Sequence, residues 1–242
     1  MAIDVALMAR ARSTGESVFR VYQWIRPTLS LGRNQLGKGR YAGDLLAARG
    51  VDVVRRPTGG RAILHWRELT YSVTAPAAGL GALPEAYAAI NEILLKALRS
   101  LGVDAVVAEA PAARRPDSTP CFAEPSAGEI VIRANGGTGK VVGSAQYRED
   151  GVLLQHGSIL LHDDQDLIAE LTQEDTVSPS RAESLSGALG REVNAAEIET
   201  ALMDAVRSCL DRQAVDLDFE EIRTDAEERE RSFRDPLWTW RR

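Results

Sequence analysis

VVRRPTGGRAILHWRELTYSV, residues 53–73, carries a hydrophobic strand into two adjacent arginines, a Thr58-Gly59-Gly60 turn and a second strand with one histidine. The two glycines allow a tight turn in which backbone N–H groups can come close to a ligand. Arg55 and Arg56 beside that turn read as fixed cations suited to an anionic or strongly polarised carbonyl group. Taken alone, the stretch implies capture of an acid or acyl group at a strand–turn–strand edge.

Outward from this turn the chain alternates strands and helices without a regular βαβα repeat. Residues 2–13 have helical composition, with Ile3, Leu7 and Met8 able to share a face. Residues 17–24 and 27–33 read as strands separated at Arg26–Pro27, residues 41–49 as a short helix ended by Gly50. Residues 84–101 predict a helix: Pro84 near its start, Ile90, Leu94, Ala97, Leu98 and Leu101 at helical spacing, Gly102 at its end. A strand near 103–108 follows, then a Pro-rich loop over 109–127. Strands at 129–133 and 140–146 flank a glycine-rich tip at 134–139, and residues 151–161 form another strand. Residues 164–171 and 194–211 predict helices, and a charged tail from 218 ends in DPLWTWRR. The fold class is therefore α+β, a mixed β-sheet packed by helices, in one domain spanning 1–242.

The bulk numbers restrict the function. A chain of 242 residues with 44% hydrophobic and 26% charged side chains is ordinary for a globular enzyme of one sizeable domain. No apolar run approaches the roughly 20 residues of a membrane span, and Asp4 interrupts the only candidate leader. A net charge of −6 argues against a general nucleic-acid binder. Cys121 and Cys209 are far apart and fit free thiols of a cytoplasmic protein. His65, His156 and His162 are too scattered for a metal site.

Among candidate chemical groups, Cys121 stands in the Pro-rich loop, where a thiol is either a nucleophile exposed to its substrate or an incidental free cysteine. Cys209 shares a helical face with Leu202 and Val206 and is expected in the core. Lys140 follows a hairpin tip; it is either a solvated turn residue or an ammonium turned inward beside Arg55 and Arg56. His65 and His156 lie on strands, with Gln155 and Ser158 suggesting hydrogen-bonding work near a pocket. No spacing supplies either histidine with an acid partner for a triad. Trp238 and Trp240, two apart, read as one face of a strand, an edge clamp, or the favoured packing anchor.

Three stretches, RRPTGGRAILHWRELTYSV, PCFAEPSAGE and KVVGSAQYREDGVLLQHGSILL, resemble in order and spacing the lipoate–protein ligase and octanoyltransferase superfamily, which shares its catalytic fold with biotin–protein ligase. MAIDVALMARA is similar to its first helix, and the resemblance is strongest over residues 1–161. RRPTGGR, CF–x–x–PS and GSAQ–LLQHGSIL are most similar to the cysteine-dependent octanoyl-[acyl-carrier-protein]:protein N-octanoyltransferases of Gram-positive bacteria. The resemblance implies Cys121 as acyl-accepting nucleophile and Lys140 as the active-site lysine. It implies substrate binding by Arg55, Arg56, Thr58, Gly59, Gly60, Arg61, His65, Gly143, Ser144, Ala145 and His156. The implied reaction moves an octanoyl group from octanoyl-acyl carrier protein to a lysine of a lipoyl domain through a cysteine thioester. The implied acceptor is glycine-cleavage H protein or an E2 lipoyl domain, with Arg114 and Arg115 available to steer that acidic module. No cofactor or metal is implied.

An ATP- and Mg-dependent lipoate–protein ligase is the alternative; against it, Arg61 stands where such ligases carry a third glycine. A non-catalytic lipoyl- or carrier-domain binding protein is a further alternative, opposed by the Cys121–Lys140 pair. Three departures from the family pattern lead to further expectations. An opening strand before the first helix is absent, Ala127 and Gly128 replace aromatic residues and loosen the acyl pocket, and a long hairpin at 135–139 shifts Lys140.

Overall fold

The computed structural model describes residues 1–108, 122, 128–134, 137–173 and 182–241. The Pro-rich loop with Cys121, Arg114, Arg115 and Ala127, and residue Asn135 of the hairpin tip, lie outside the described residues. In chain order the elements are α1 (Ala2–Thr14), β1 (Val18–Tyr22), β2 (Thr28–Leu31), α2 (Gly43–Ala48), β3 (Asp52–Arg55), β4 (Ile63–His65), β5 (Glu68–Pro76), α3 (Leu83–Ser100) and β6 (Ala105–Val107). There follow β7 (Ile130–Ala134), β8 (Gly137–Glu149), β9 (Val152–Leu160), α4 (Leu167–Leu171), α5 (Leu185–Leu189), α6 (Ala195–Cys209), α7 (Arg223–Arg234) and α8 (Pro236–Thr239).

The long helices form where their apolar spacing and caps agree. α3 carries proline in its first turn and buries Ile90, Leu94, Ala97 and Leu98 along one side. α6 starts at Asn194, whose side chain accepts the Glu197 N–H, and buries Ile198, Leu202 and Val206. Both pack on a six-stranded antiparallel sheet in the order β1-β5-β9-β8-β7-β6, and their contact with Tyr71, Leu153 and Ile159 is the main core. On β9 another cluster joins Val152 and Leu154 to Met8 and Ala11 of α1. The central strand β9 is thus buried at every position, although Gln155, His156 and Ser158 interrupt its apolar residues.

A second, three-stranded sheet has the order β3-β2-β4, with β2 parallel to β3 and antiparallel to β4. The strands either side of the glycine turn are therefore not a hairpin: β2 lies between them. From β4 the chain turns at Arg67, a non-glycine residue at φ 39°, and enters the large sheet as β5. Residues 53–73 consequently bridge the two sheets. Gly60 adopts φ 94°, and a Cβ at Gly32 would overlap the Gly60 carbonyl oxygen, so the glycine turn is packed directly on the chain leaving β2.

Two local expectations need correction, and at the two tail tryptophans the favoured anchor reading holds while the strand-face alternative falls. Strand pairing extends to Ala134 and resumes at Gly137, so the hairpin tip is shorter than the 134–139 reading and Lys140 lies within β8 opposite Val131. Cys209 is exposed, because α6 outruns the core at its last turn and leaves Leu210 exposed as well. The charged tail is helical, so Trp238 and Trp240 do not share a strand face. Trp240 packs with Leu29, Leu31 and Leu64 under the small sheet, and Trp238 Nε1 donates to the Arg55 carbonyl at 2.9 Å, which is an anchoring role.

Candidate active site

Where the two sheets meet, a cavity of about 330 Å³ opens, within the usual size range of a small-ligand pocket. Its wall includes eight of the expected substrate-binding residues: Arg56, Gly60, Arg61, His65, Gly143, Ser144, Ala145 and His156. Tyr22, Ile63, Thr70, Tyr87 and Glu129 also line it and were not singled out from sequence, and so does Ser158, expected from sequence to hydrogen-bond near a pocket. A wider groove of about 1190 Å³ runs between α7, α8 and the β1–β3 edge, but it gathers no comparable set of buried polar groups.

The adjacent arginines do different work from that expected. Arg55 is fully buried and points away from the cavity; its Nε donates to Thr239 O at 2.9 Å and its Nη1 to Gly32 O at 2.6 Å and Gln35 O at 2.7 Å. It ties the chain end to the loop after β2. Arg56 reaches the cavity wall, yet its guanidinium donates to the carbonyls of Ser30 at 2.9 Å, Gly59 at 2.8 Å and Arg61 at 2.7 Å. It grips the glycine turn from inside. Thr58 and Gly59 do not line the cavity; Thr58 Oγ1 lies 2.6 Å from His156 Nε2 and so joins the turn to β9.

His156 does have an acid near it after all, supplied by α1. Its Nδ1 stands 3.7 Å from Asp4 Oδ2, an electrostatic contact longer than a hydrogen bond, and Asp4 Oδ1 accepts from Arg20 at 2.9 Å. With Thr58 fully buried, this array holds the turn against the sheet. Burial pushes the His156 imidazole below its usual range, although Asp4 opposes the shift. Burial would raise Asp4, but the Met1 ammonium, His156 and Arg20 together outweigh it and hold the carboxyl well below the usual carboxylate range. Both groups make the fold acid-sensitive. Below about pH 6.5, the reference value for His156, the unfolded chain binds a proton that the folded one refuses. Below about pH 3.8, the reference value for Asp4, the unfolded carboxyl is protonated while the folded one stays ionised. Denaturant midpoints are expected to fall in these two stages on acidification. Asp4→Asn should lower the midpoint at neutral pH and remove the second stage.

Lys140 is the other buried cation. It is fully shielded from solvent, with Nζ 2.7 Å from Glu129 Oε1 and 4.7 Å from the centre of the buried Phe122 ring. The inward reading of this lysine is the one the fold adopts, but the charged group in contact with it is the Glu129 carboxylate and not the expected neighbouring cations Arg55 and Arg56. Glu129 and Gly143, on either side of it, line the cavity. Ser144 Oγ is 2.6 Å from Tyr71 Oη, which fixes the strand beside them. Among the described residues no cluster of His, Cys, Asp or Glu could hold a metal ion, and no helix is long and apolar enough to cross a membrane.

Residues 1–207 match the family of the lipoyl protein ligase A/B catalytic domain. The chain belongs to this family. It is similar to octanoyltransferase LipM of Kyrpidia tusciae, 40% identical over 228 residues that cover 87% of this chain and 82% of the relative. It is also similar to octanoyltransferase LipM of Symbiobacterium thermophilum, 42% identical over 217 residues covering 83% and 78%. Among solved structures, the lipoyl ligase fold recurs in a bipartite lipoate protein ligase from Thermoplasma acidophilum, with TM-score 0.80, 20% identity, and coverage of 99% of this chain and 89% of that one. It recurs also in a lipoate-protein ligase A bound with ATP, with TM-score 0.80, 22% identity and coverage of 99% and 92%. In this lipoyl ligase fold the mixed α+β architecture places the cavity at the junction of the two sheets.

Proposed function

We propose that this protein is an acyltransferase of protein lipoylation, moving an octanoyl group from octanoyl-acyl carrier protein to a lysine of a lipoyl domain. The observation that carries this reading is the buried Lys140–Glu129 pair against a cavity of about 330 Å³, in a chain about 40% identical to proteins named octanoyltransferase. The cavity suits a medium-chain acyl group, with Ile63, Gly143 and Ala145 among its apolar walls. Phe122, next in sequence to Cys121, packs with Ile63 and Leu160 and against Lys140.

In the proposed reaction the Cys121 sulfur attacks the thioester carbonyl of the carrier-bound octanoyl group, and the carrier thiol leaves. The Lys140 ammonium stabilises charge developing on the carbonyl oxygen or exchanges a proton with the thiol. The lipoyl-domain lysine then attacks the octanoyl-enzyme, a C–N bond forms, the C–S bond breaks and the cysteine is regenerated. Thioester exchange is near balance and amide formation from the thioester is downhill, so the route needs neither ATP nor metal. The acceptor is a small acidic lipoyl module, of the H-protein or E2 kind, in the cytoplasm.

The test supplies octanoyl carrier protein and a lipoyl domain without nucleotide. Octanoyl-lysine amide is expected from the unaltered protein and none from Cys121→Ser. Wild-type transfer by Cys121→Ser would refute the thioester route. A requirement for ATP and free lipoate would establish the ligase reaction in its place.

A further inference from the structure

The cavity contains a second set of catalytic-type contacts, at the crossover from β4 to β5. His65 ends β4 and Glu68 begins β5, and the turn at Arg67 brings them together: His65 Nδ1 is 2.8 Å from Glu68 Oε1. That carboxylate oxygen also accepts from Thr70 Oγ1 at 2.6 Å and Ser158 Oγ at 2.7 Å, so its position is fixed from three sides. Ser158 Oγ, its hydrogen committed to Glu68, lies 3.1 Å from Nδ1 and can act there only as an acceptor. Both described neighbours of Nδ1 are thus acceptors, which puts the imidazole hydrogen on Nδ1 and leaves a lone pair on Nε2. The ring is clamped flat against Trp24, with centroids 4.4 Å apart and planes 10° apart. Trp24 is itself held by Nε1 donating to Thr70 Oγ1 at 2.8 Å.

His65 is 5% exposed and lines the cavity, and its Nε2 has no hydrogen-bond partner among the described residues. A buried imidazole whose other nitrogen is oriented by a carboxylate is built to take a proton from whatever enters. We propose that His65 Nε2, oriented by Glu68, is the proton acceptor for the attacking amine. This rests on the acyltransfer reading above and assigns its second half-reaction. The acceptor lysine arrives largely as an ammonium and must lose a proton to become a nucleophile. A first proton passes to His65 Nε2 and on to water; as the amine nitrogen then bonds to the octanoyl carbonyl carbon its second proton passes to the freed Nε2, the C–S bond breaks and the electron pair leaves on sulfur. The imidazolium returns that second proton to the sulfur, so that one proton in all is released to water and the cycle closes without any other reagent. Glu68 is a positioning residue: it holds Nδ1–H and stabilises the imidazolium. Among the described residues, the other charged or titratable ones facing the cavity beside His65 are Met1, with its α-ammonium, Tyr22, Arg56, Arg61, Tyr87, Glu129 and His156. Of these, Tyr22 is held neutral by burial, which pushes its hydroxyl well above the usual range.

The test separates the two half-reactions. Octanoyl-enzyme is first formed from octanoyl carrier protein and isolated; its discharge is then followed with a lipoyl domain and, separately, with hydroxylamine, an amine already unprotonated at neutral pH. The octanoyl-enzyme of His65→Gln, isolated after whatever time its loading takes, is expected to discharge to the lipoyl lysine about 10²-fold or more slowly than that of the wild type. Discharge to hydroxylamine should be unchanged, and the lysine deficit should shrink as pH rises toward the amine's own ionisation near about 10. Glu68→Gln, which can present an N–H to Nδ1 and move the imidazole hydrogen to Nε2, should show the same selective loss. Lysine discharge at wild-type rate by His65→Gln, or equal slowing toward both amines, would overturn the assignment and leave the acyltransferase reading standing. Failure of the unaltered protein to load would overturn both. Should His65→Gln fail to load through misfolding, Glu68→Gln decides by the same ratio of lysine to hydroxylamine discharge.

Discussion

Lys140→Met is expected to slow octanoyl transfer by about 10²–10³-fold, the range found when one donor to a developing oxyanion is removed. The same change leaves the Glu129 carboxylate, 8% exposed, without the ammonium 2.7 Å away. Breaking a buried pair on one side costs about 3–5 kcal/mol. A lost activity could therefore reflect a damaged fold, and the double variant Lys140→Met, Glu129→Gln separates the two effects. It replaces both charges with neutral groups of similar shape, which is close to neutral for stability. The account predicts that the double variant melts near the wild type yet stays as inactive as the single one. Thermal denaturation alongside the transfer assay reads both quantities, and recovery of activity with recovery of stability would show that Lys140 is only structural.

Arg55→Met is expected to give the largest loss of stability. Three carbonyls, those of Gly32, Gln35 and Thr239, accept from this one buried guanidinium at 2.6–2.9 Å. Hydrogen bonds from a charged donor contribute about 1.5–3 kcal/mol each, and the orphaned carbonyls add a desolvation cost. The effects overlap, so a loss of about 3–5 kcal/mol is the reasonable sum, or roughly 10 °C in melting temperature for a domain of this size. Lysine should not rescue it, because one ammonium cannot reproduce the guanidinium fork. Since Arg55 does not line the cavity, KM for the octanoyl donor should stay unchanged below the new melting point. A raised KM with an unchanged melting temperature would return Arg55 to the substrate-binding role its sequence context suggests.

What could be read along the chain was whatever depends on near neighbours. The alternation of apolar and polar residues along β5, the apolar ends of β9, the helical spacing of α3 and α6, and the glycine turn beside its arginines all have local causes. The motif resemblance also picked out Gly143, Ser144, Ala145 and His156, which line the cavity on β8 and β9. The insertion of β2 between β3 and β4 has no such local signal, because it is a pairing of segments far apart in sequence. Without that pairing the glycine turn looks like a hairpin and Arg55 like a cavity residue. The acids of the two histidines were hidden for related reasons. Asp4 reaches His156 only through the packing of α1, and a His-x-x-Glu spacing on extended chain brings nothing together until the Arg67 kink folds it. Glu129 was the nearest to legible, since it immediately precedes β7, the strand paired with the one carrying Lys140.

The most direct test of the central claim is the intact mass of the protein after mixing with octanoyl carrier protein in the absence of nucleotide. The account predicts a gain of one octanoyl group, mapped to Cys121, removed by hydroxylamine and chased onto a lipoyl-domain lysine. No covalent adduct, together with transfer that appears only when ATP and a free acid are supplied, would contradict it.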